Sequence, residues 1–134
     1  MAIEWTQDLA TGINWQDNQH KELFVKINSL IEAMKTGKGK EEIVKLFKFL
    51  DDYTVFHFGN EQKAMEKFNY NDYSSHKSQH QKFISNLSDL KKQLETAVVP
   101  VAVVIKAQSM VVDWLKNHIA KVDKVLGAFL KTKA

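Results

Sequence analysis

Apolar residues recur three and four apart through most of this 134-residue chain, the spacing that lines one face of an α-helix. The first stripe runs Leu23, Phe24, Ile27, Leu30, Ile31 and Met34, and His20 extends it one turn toward the N-terminus. It predicts a helix from Asp17 or Asn18, both good N-cap residues, to Thr36, with Gly37 at the left-handed C′ position. The second stripe is Ile43, Leu46, Phe47, Leu50, Tyr53, Thr54, His57, Glu61, Ala64 and Met65. It predicts a helix from about Glu41 to a break at Asn69–Asp72. Gly59 inside it costs about 1 kcal/mol against alanine in intrinsic propensity, which suggests close packing or a site there. A third helix is expected from Asp72 or Ser74, with an inward face of His76, His80, Phe83, Ile84, Leu87, Leu90 and Leu94. Thr96–Pro100 is the third break, and Pro100 suits the first turn of a fourth helix carrying Val104, Ile105, Val111, Val112, Leu115, His118, Ile119 and Val122.

Residues 1–17 hold Trp5, Gly12 and Trp15 without a sustained helical period. They read as an ordered arm over the bundle, braced by its two tryptophans. Residues 124–134 (Val125, Leu126, Phe129, Leu130) read as a short helical tail that packs back. Short connections between long helices favour antiparallel neighbours. The expected fold is therefore all-α: a single domain over 1–134, with an N-terminal arm (1–17), an up-down-up-down antiparallel four-helix bundle (18–123) and a C-terminal tail (124–134). No internal repeat is visible.

Composition narrows the function. Hydrophobic residues make up 44% and charged residues 26%, enough for a soluble domain to bury a core. One proline and five glycines are too few for a turn-dense β fold. The absence of cysteine removes disulfides, thiolate zinc sites, iron–sulfur clusters and a cysteine nucleophile. The net charge of +3 comes from scattered lysines, which serve solubility and leave no nucleic-acid footprint. The start, Met1-Ala-Ile-Glu-Trp5, has neither a basic region nor an apolar run, and no stretch is long enough to span a bilayer. A cytoplasmic location is expected. The apolar faces fit within one bundle, so a monomer is expected too.

The chemistry lies in the five histidines, His20, His57, His76, His80 and His118, and in two carboxylates, Glu61 and Asp123. A lone histidine on an apolar face is more often a satisfied core residue than a ligand. Five are harder to dismiss. An apolar stripe covers about a third of a helix surface, so five histidines fall on one by chance only about once in 240. Glu61 is more telling, because a carboxylate in a core needs a partner or stays protonated. His76 and His80, and likewise His57 and Glu61, lie four residues apart and about 40° apart on a helix face. His118 and Asp123 lie five apart, about 140° on a regular helix, so the helix must loosen, bulge or end between them. A π-type turn is one such device. Nitrogen and oxygen donors without sulfur suit zinc, copper, iron or nickel. A structural zinc needs four ligands; seven donors argue for two metals. If two six-coordinate metals share both carboxylates and a solvent-derived bridge, one position stays open for a small ligand.

Read in order, several segments carry a family resemblance: Trp5 with Gly12-Ile13, Asp17-Asn-Gln-His20, His57-Phe-Gly-Asn-Glu61 with Met65, His76-Lys-Ser-Gln-His80, and Trp114-Leu-Lys-Asn-His118 with Asp123. Over essentially its whole length the chain resembles the hemerythrin family, and its bacterial branch in particular. The resemblance implies two iron ions with an oxo or hydroxo bridge. His76, His80 and His118 would bind one iron, His20 and His57 the other, and Glu61 and Asp123 would bridge them. It implies reversible binding of dioxygen at the open iron, for storage, transport or delivery to an oxygen-consuming enzyme partner. Oxygen or redox sensing through a separate partner, or a di-iron enzyme acting on peroxide or nitric oxide, are the alternatives. Phe58, Trp114, Leu115 and Ile119 match the family's oxygen pocket by their places beside the ligands, with Leu115 the expected gate. Gln62 stands where many members carry a second glutamate; because the position is not a ligand, little consequence is expected.

Overall fold

A computed structural model describes residues 3–38, 40–95 and 101–133. The expected break at Thr96–Pro100 lies outside the described residues. Among those described there are helices and no strands. Helix α1 spans Asn14–Lys35, α2 Lys40–Lys67 and α3 Tyr73–Leu94. A fourth helix occupies residues 101–131. Contacts run oppositely along neighbours. Gln19 meets His57 while Lys26, further along α1, lies over Tyr53 and Phe49, earlier in α2. Phe58 and Gln62 of α2 meet Phe83 and His80 of α3, and Gln79 and Phe83 of α3 meet His118 and Trp114. The architecture is the antiparallel up-down-up-down bundle.

Helix ends follow local chemistry. Past α1, Gly37 adopts φ +70°. Its N–H reaches the Met34 carbonyl and that of Lys38 reaches Ala33, the paired bonds that close a Schellman turn. Asn69, at φ 53°, does the same for α2, with Tyr70 N–H donating to Met65 at 3.0 Å. The start of α1 differs from expectation. The helix opens at Asn14, and Asp17 lies inside its first turn. The Asp17 carboxylate accepts instead from Thr11 N, Thr11 Oγ1 and Gly12 N at 2.8, 2.9 and 3.2 Å. It ties down the lead-in and adds negative charge at the positive end of the helix dipole. The lead-in also pairs with α1 at Asn28, whose amide bonds Ile3 N and Ile3 O, each at 2.8 Å. Trp5 is half-buried under the Lys21 ammonium, and Trp15 is about one-third exposed.

The C-terminal segment is helical and packs on the bundle, as expected, but it is not a separate tail. Lys124–Lys131 continues the fourth helix without a break, and the backbone stays right-handed across Asp123 and Lys124. Leu126 and Leu130 join Met65 and Tyr70 in a small second core, separate from the main core that holds Leu23, Ile27, Leu50, Phe83 and Leu115. One bundle does not cover every apolar side chain: Phe49, Val55 and Phe56 on the outer face of α2 are about half exposed.

Gly59 is not a packing position. A methyl group built there meets nothing within 4 Å. Gly59→Ala should therefore stabilise the fold by about 0.5–1 kcal/mol through helix propensity alone, read as a rise in the urea midpoint of the metal-free protein.

Candidate metal centre

The seven candidate ligands form one polar layer between the two cores. His20, His57, Glu61, His76, His80, His118 and Asp123 are all buried, none more than 3% exposed. Each helix supplies part of the layer: α1 His20, α2 His57 and Glu61, α3 His76 and His80, the fourth helix His118 and Asp123. Along α2 the sequence places Phe58 in the main core, Glu61 in the layer and Met65 in the second core. The apolar sheets above and below exclude water and strengthen every charge between them.

The two carboxylates split their oxygens between two groups of histidines. Glu61 Oε1 faces His80 Nε2 at 3.0 Å and His76 Nε2 at 3.7 Å, while Oε2 faces His57 Nε2 at 3.2 Å and His20 Nε2 at 3.5 Å. Asp123 Oδ1 faces His76 Nε2 at 2.9 Å and His118 Nε2 at 3.2 Å, while Oδ2 faces His20 Nε2 at 3.0 Å. The donor atoms thus gather in two sets, one with three imidazoles and one with two, sharing both carboxylates.

The spacing fits metal ligation better than ion pairing. None of the five Nε2 atoms makes a hydrogen bond of acceptable geometry, although each lies close to a carboxylate oxygen. The nitrogens aim beside the oxygens, at points between them. Two ligands about 2.1 Å from a six-coordinate metal and at right angles to each other stand about 3.0 Å apart, close to the 2.9–3.2 Å of the shorter contacts.

The fourth helix reaches this geometry by the loosened turn its spacing demands. Ile119–Asp123 is a π-helical segment, and a second one precedes it at Gln108–Asp113. The wide turn does in five residues what α2 does in four: His118 to Asp123 and His57 to Glu61 both close at 3.2 Å.

Glutamines hold the layer from outside. Gln19 Oε1 lies 2.7 Å from His57 Nδ1 and Gln79 Oε1 2.9 Å from His118 Nδ1. An amide oxygen there accepts from Nδ1–H and leaves Nε2 free to bind inward. Gln62 lies 3.2 Å from His80 Nδ1, so its side chain does bear on a ligand. Gln16 is buried and donates from Nε2 to Glu61 Oε2 at 2.7 Å. Gln16, Gln19 and Gln79 were not expected at the site, though each left a signal. Gln19 and Gln79 directly precede a histidine, and Gln16 sits four residues before His20 on its stripe.

The apolar candidates sit where aromatic contact brings them. Phe58 stacks on His80 with ring centroids 3.7 Å apart. Trp114, half-buried, stacks on His118 at 4.7 Å and on Phe83 at 4.6 Å. Leu115 and Ile119 are buried in the main core.

Charge couples the layer to pH. Burial resists protonation of His20 and His76, but the Asp123 and Glu61 carboxylates beside them outweigh it and push both up from 6.5 to about 9. Burial also works to raise Glu61 and Asp123, and the charge of Glu61 adds to that at Asp123. The facing histidines prevail and hold both carboxyls well below the usual carboxylate range. His80 is lowered, by burial first, with the charges of His76 and His118 adding to it against Glu61. In the metal-free protein the raised histidines contribute stability in full below pH 6.5 and lose it as pH climbs through about 9. The lowered carboxyls contribute above their ordinary values and lose it only in strong acid. The melting temperature of the metal-free protein should therefore fall between about pH 6 and pH 10. A flat profile over that window would count against the carboxylate–histidine pairing.

A buried layer of five imidazoles and two carboxylates across four helices defines a metal-binding helical bundle. Comparison with known proteins gives the lineage: the Hemerythrin HHE cation binding domain matches residues 11–130. The chain belongs to the hemerythrin family. It is 37% identical over 129 residues to a bacteriohemerythrin of Methylococcus capsulatus, covering 96% of each. It is 34% identical over 121 residues to a bacteriohemerythrin of Pseudomonas aeruginosa, covering 90% of this chain and 76% of the relative. A crystal structure of wild-type hemerythrin superimposes with a TM-score of 0.84 at 36% identity, covering 96% of this chain and 97% of the other. No described helix is long and apolar enough to cross a membrane.

Proposed function

We propose that this chain binds dioxygen reversibly at a pair of iron ions, for storage, transport or delivery to an oxygen-using enzyme. The observation that carries the reading is the shared use of Glu61 and Asp123, each with one oxygen on the side of the three-histidine set and the other on the side of the two-histidine set. His76, His80 and His118 would hold one iron, and His20 and His57 the other, with both carboxylates bridging. Nitrogen and oxygen donors without sulfur suit iron in this geometry, and family membership supports it. When bound, the pair supplies the two electrons that dioxygen binding takes up.

The protein's own residues do the rest. His76, His80 and His118 with the two carboxylates would hold one six-coordinate metal more completely than His20 and His57 with the same carboxylates would hold the other, which would keep a position for an incoming ligand. Gln19 and Gln79 fix the rings of His57 and His118, so that the ligands are set before metal arrives. Phe58, Leu115 and Ile119, all buried, with Trp114 at the edge, form the apolar wall that admits a small ligand and keeps bulk water from the layer.

The test is spectroscopic. Metal analysis of protein expressed with iron should give two irons per chain. The reduced protein should develop a visible band when oxygen is admitted and lose it when oxygen is removed. Steady consumption of oxygen or peroxide with a substrate would replace the carrier reading by an enzymatic one, and one zinc per chain would sink both.

A further inference from the structure

The metal layer has an approximate two-fold symmetry that breaks at one residue. Gln16, Gln19 and His20 of α1 stand sixty residues before His76, Gln79 and His80 of α3. The buried stripes correspond at the same offset, with Leu23, Ile27, Leu30 and Met34 matching Phe83, Leu87, Leu90 and Leu94. On the other pair of helices Leu50, Thr54, His57 and Phe58 match Val111, Leu115, His118 and Ile119, all buried. Glu61 matches Asp123 once the wide turn has taken up its extra residue.

Contacts obey the same operation. His57 to Glu61 and His118 to Asp123 are both 3.2 Å. His20 to Asp123 and His80 to Glu61 are both 3.0 Å. Gln19 to His57 and Gln79 to His118 are 2.7 and 2.9 Å. The remaining pair is His76 to Asp123 at 2.9 Å and Gln16 to Glu61 at 2.7 Å. Where symmetry would place a sixth imidazole, the chain carries a glutamine.

Resting on the di-iron reading above, we propose that Gln16 stands in the place of a sixth histidine and keeps a coordination position of the His20/His57 metal open to an exogenous ligand. A neutral amide is a poor competitor with imidazole for iron. Its nitrogen, at the place His76 Nε2 takes on the other side, donates to Glu61 Oε2 and has no lone pair to offer a metal. Its Oε1 is buried without a partner, and Nε2 retains a second hydrogen. Both are therefore free to meet a small polar ligand at the open position. Gln16 is thus a positioning and specificity residue on the two-histidine side of the layer.

The experiment uses the full-length, iron-loaded, oxidised protein and sodium azide, followed by the azide-to-iron absorption band. Wild type should hold two irons and bind azide saturably; a wild type that holds two irons and takes no azide would overturn the open position itself. Gln16→His should keep two irons, lose azide binding, and show one more exchangeable imidazole resonance among the paramagnetically shifted NMR lines. Two irons with wild-type azide binding in Gln16→His would overturn the role of Gln16 while leaving the di-iron reading intact. Should Gln16→His fail to fold or load, Gln16→Leu decides. It should still bind azide but release it about five- to tenfold faster, from loss of one hydrogen bond. Azide kinetics matching wild type in Gln16→Leu would overturn the proposal.

Discussion

Glu61→Ala is expected to abolish the paired centre, leaving at most one iron per chain and no oxo-bridge absorption. Glu61 is the side chain that faces the most histidines, touching His20, His57, His76 and His80. On the proposed di-iron reading, removing it would take a donor from each metal at once, and water would not bridge the same span at the same geometry. The metal-free protein should change too. His20 and His76 are raised against their burial by two carboxylates; with one gone, both should titrate lower by NMR. Gln62→Ala, one residue on, removes only the partner of His80 Nδ1. The contact is from the amide Nε2, a donor, not from an oxygen that would accept Nδ1–H, so the variant should keep two irons per chain by metal analysis. Two irons with intact bridge absorption in Glu61→Ala would show that Glu61 does not bridge.

The convergence of the seven candidate ligands was legible because they lie on the stripes that build the core. A periodic pattern that places Leu23 and Ile27 inward also places His20 inward, and the four-residue spacings of His57–Glu61 and His76–His80 need only a regular helix. Asp123 was not legible in that way. Its side chain reaches the layer only because the helix widens over Ile119–Asp123, and nothing local in Ile-Ala-Lys-Val-Asp announces a wide turn. The internal symmetry was hidden for another reason. Outside the polar layer it conserves burial more than identity: Leu23 answers Phe83, and Thr54 answers Leu115. Gln16 was passed over because a glutamine on an apolar stripe reads as a boundary residue, and only its contact with Glu61 reveals a role. Asp17 was misplaced because a short acidic side chain serves an N-cap and a folded-back lead-in equally well.

Gly127→Ala should be strongly destabilising for the addition of a single methyl group outside the metal layer. A Cβ at Gly127 would stand 2.7 Å from both Thr11 Cβ and Thr11 O, too close for either to stay where it is. The lead-in cannot simply lift. Thr11 is fixed by two hydrogen bonds to Asp17, Gly12 next to it holds φ +86°, and Lys124 reaches across to the Asp8 carbonyl at 2.9 Å. Moving Thr11 strains those bonds and pulls on Asp17, the neighbour of Gln16 on α1. Overpacking of this kind costs about 1–3 kcal/mol, and each loosened hydrogen bond about 1 more. The gain of about 1 kcal/mol from replacing a helical glycine offsets only part. Urea unfolding of the metal-free protein should show a net loss of about 2 kcal/mol, opposite in sign to Gly59→Ala. The two substitutions add the same methyl to the interior of a helix. A difference in sign therefore isolates the approach of Thr11, and a stabilised Gly127→Ala would mean that the lead-in does not cross the fourth helix there.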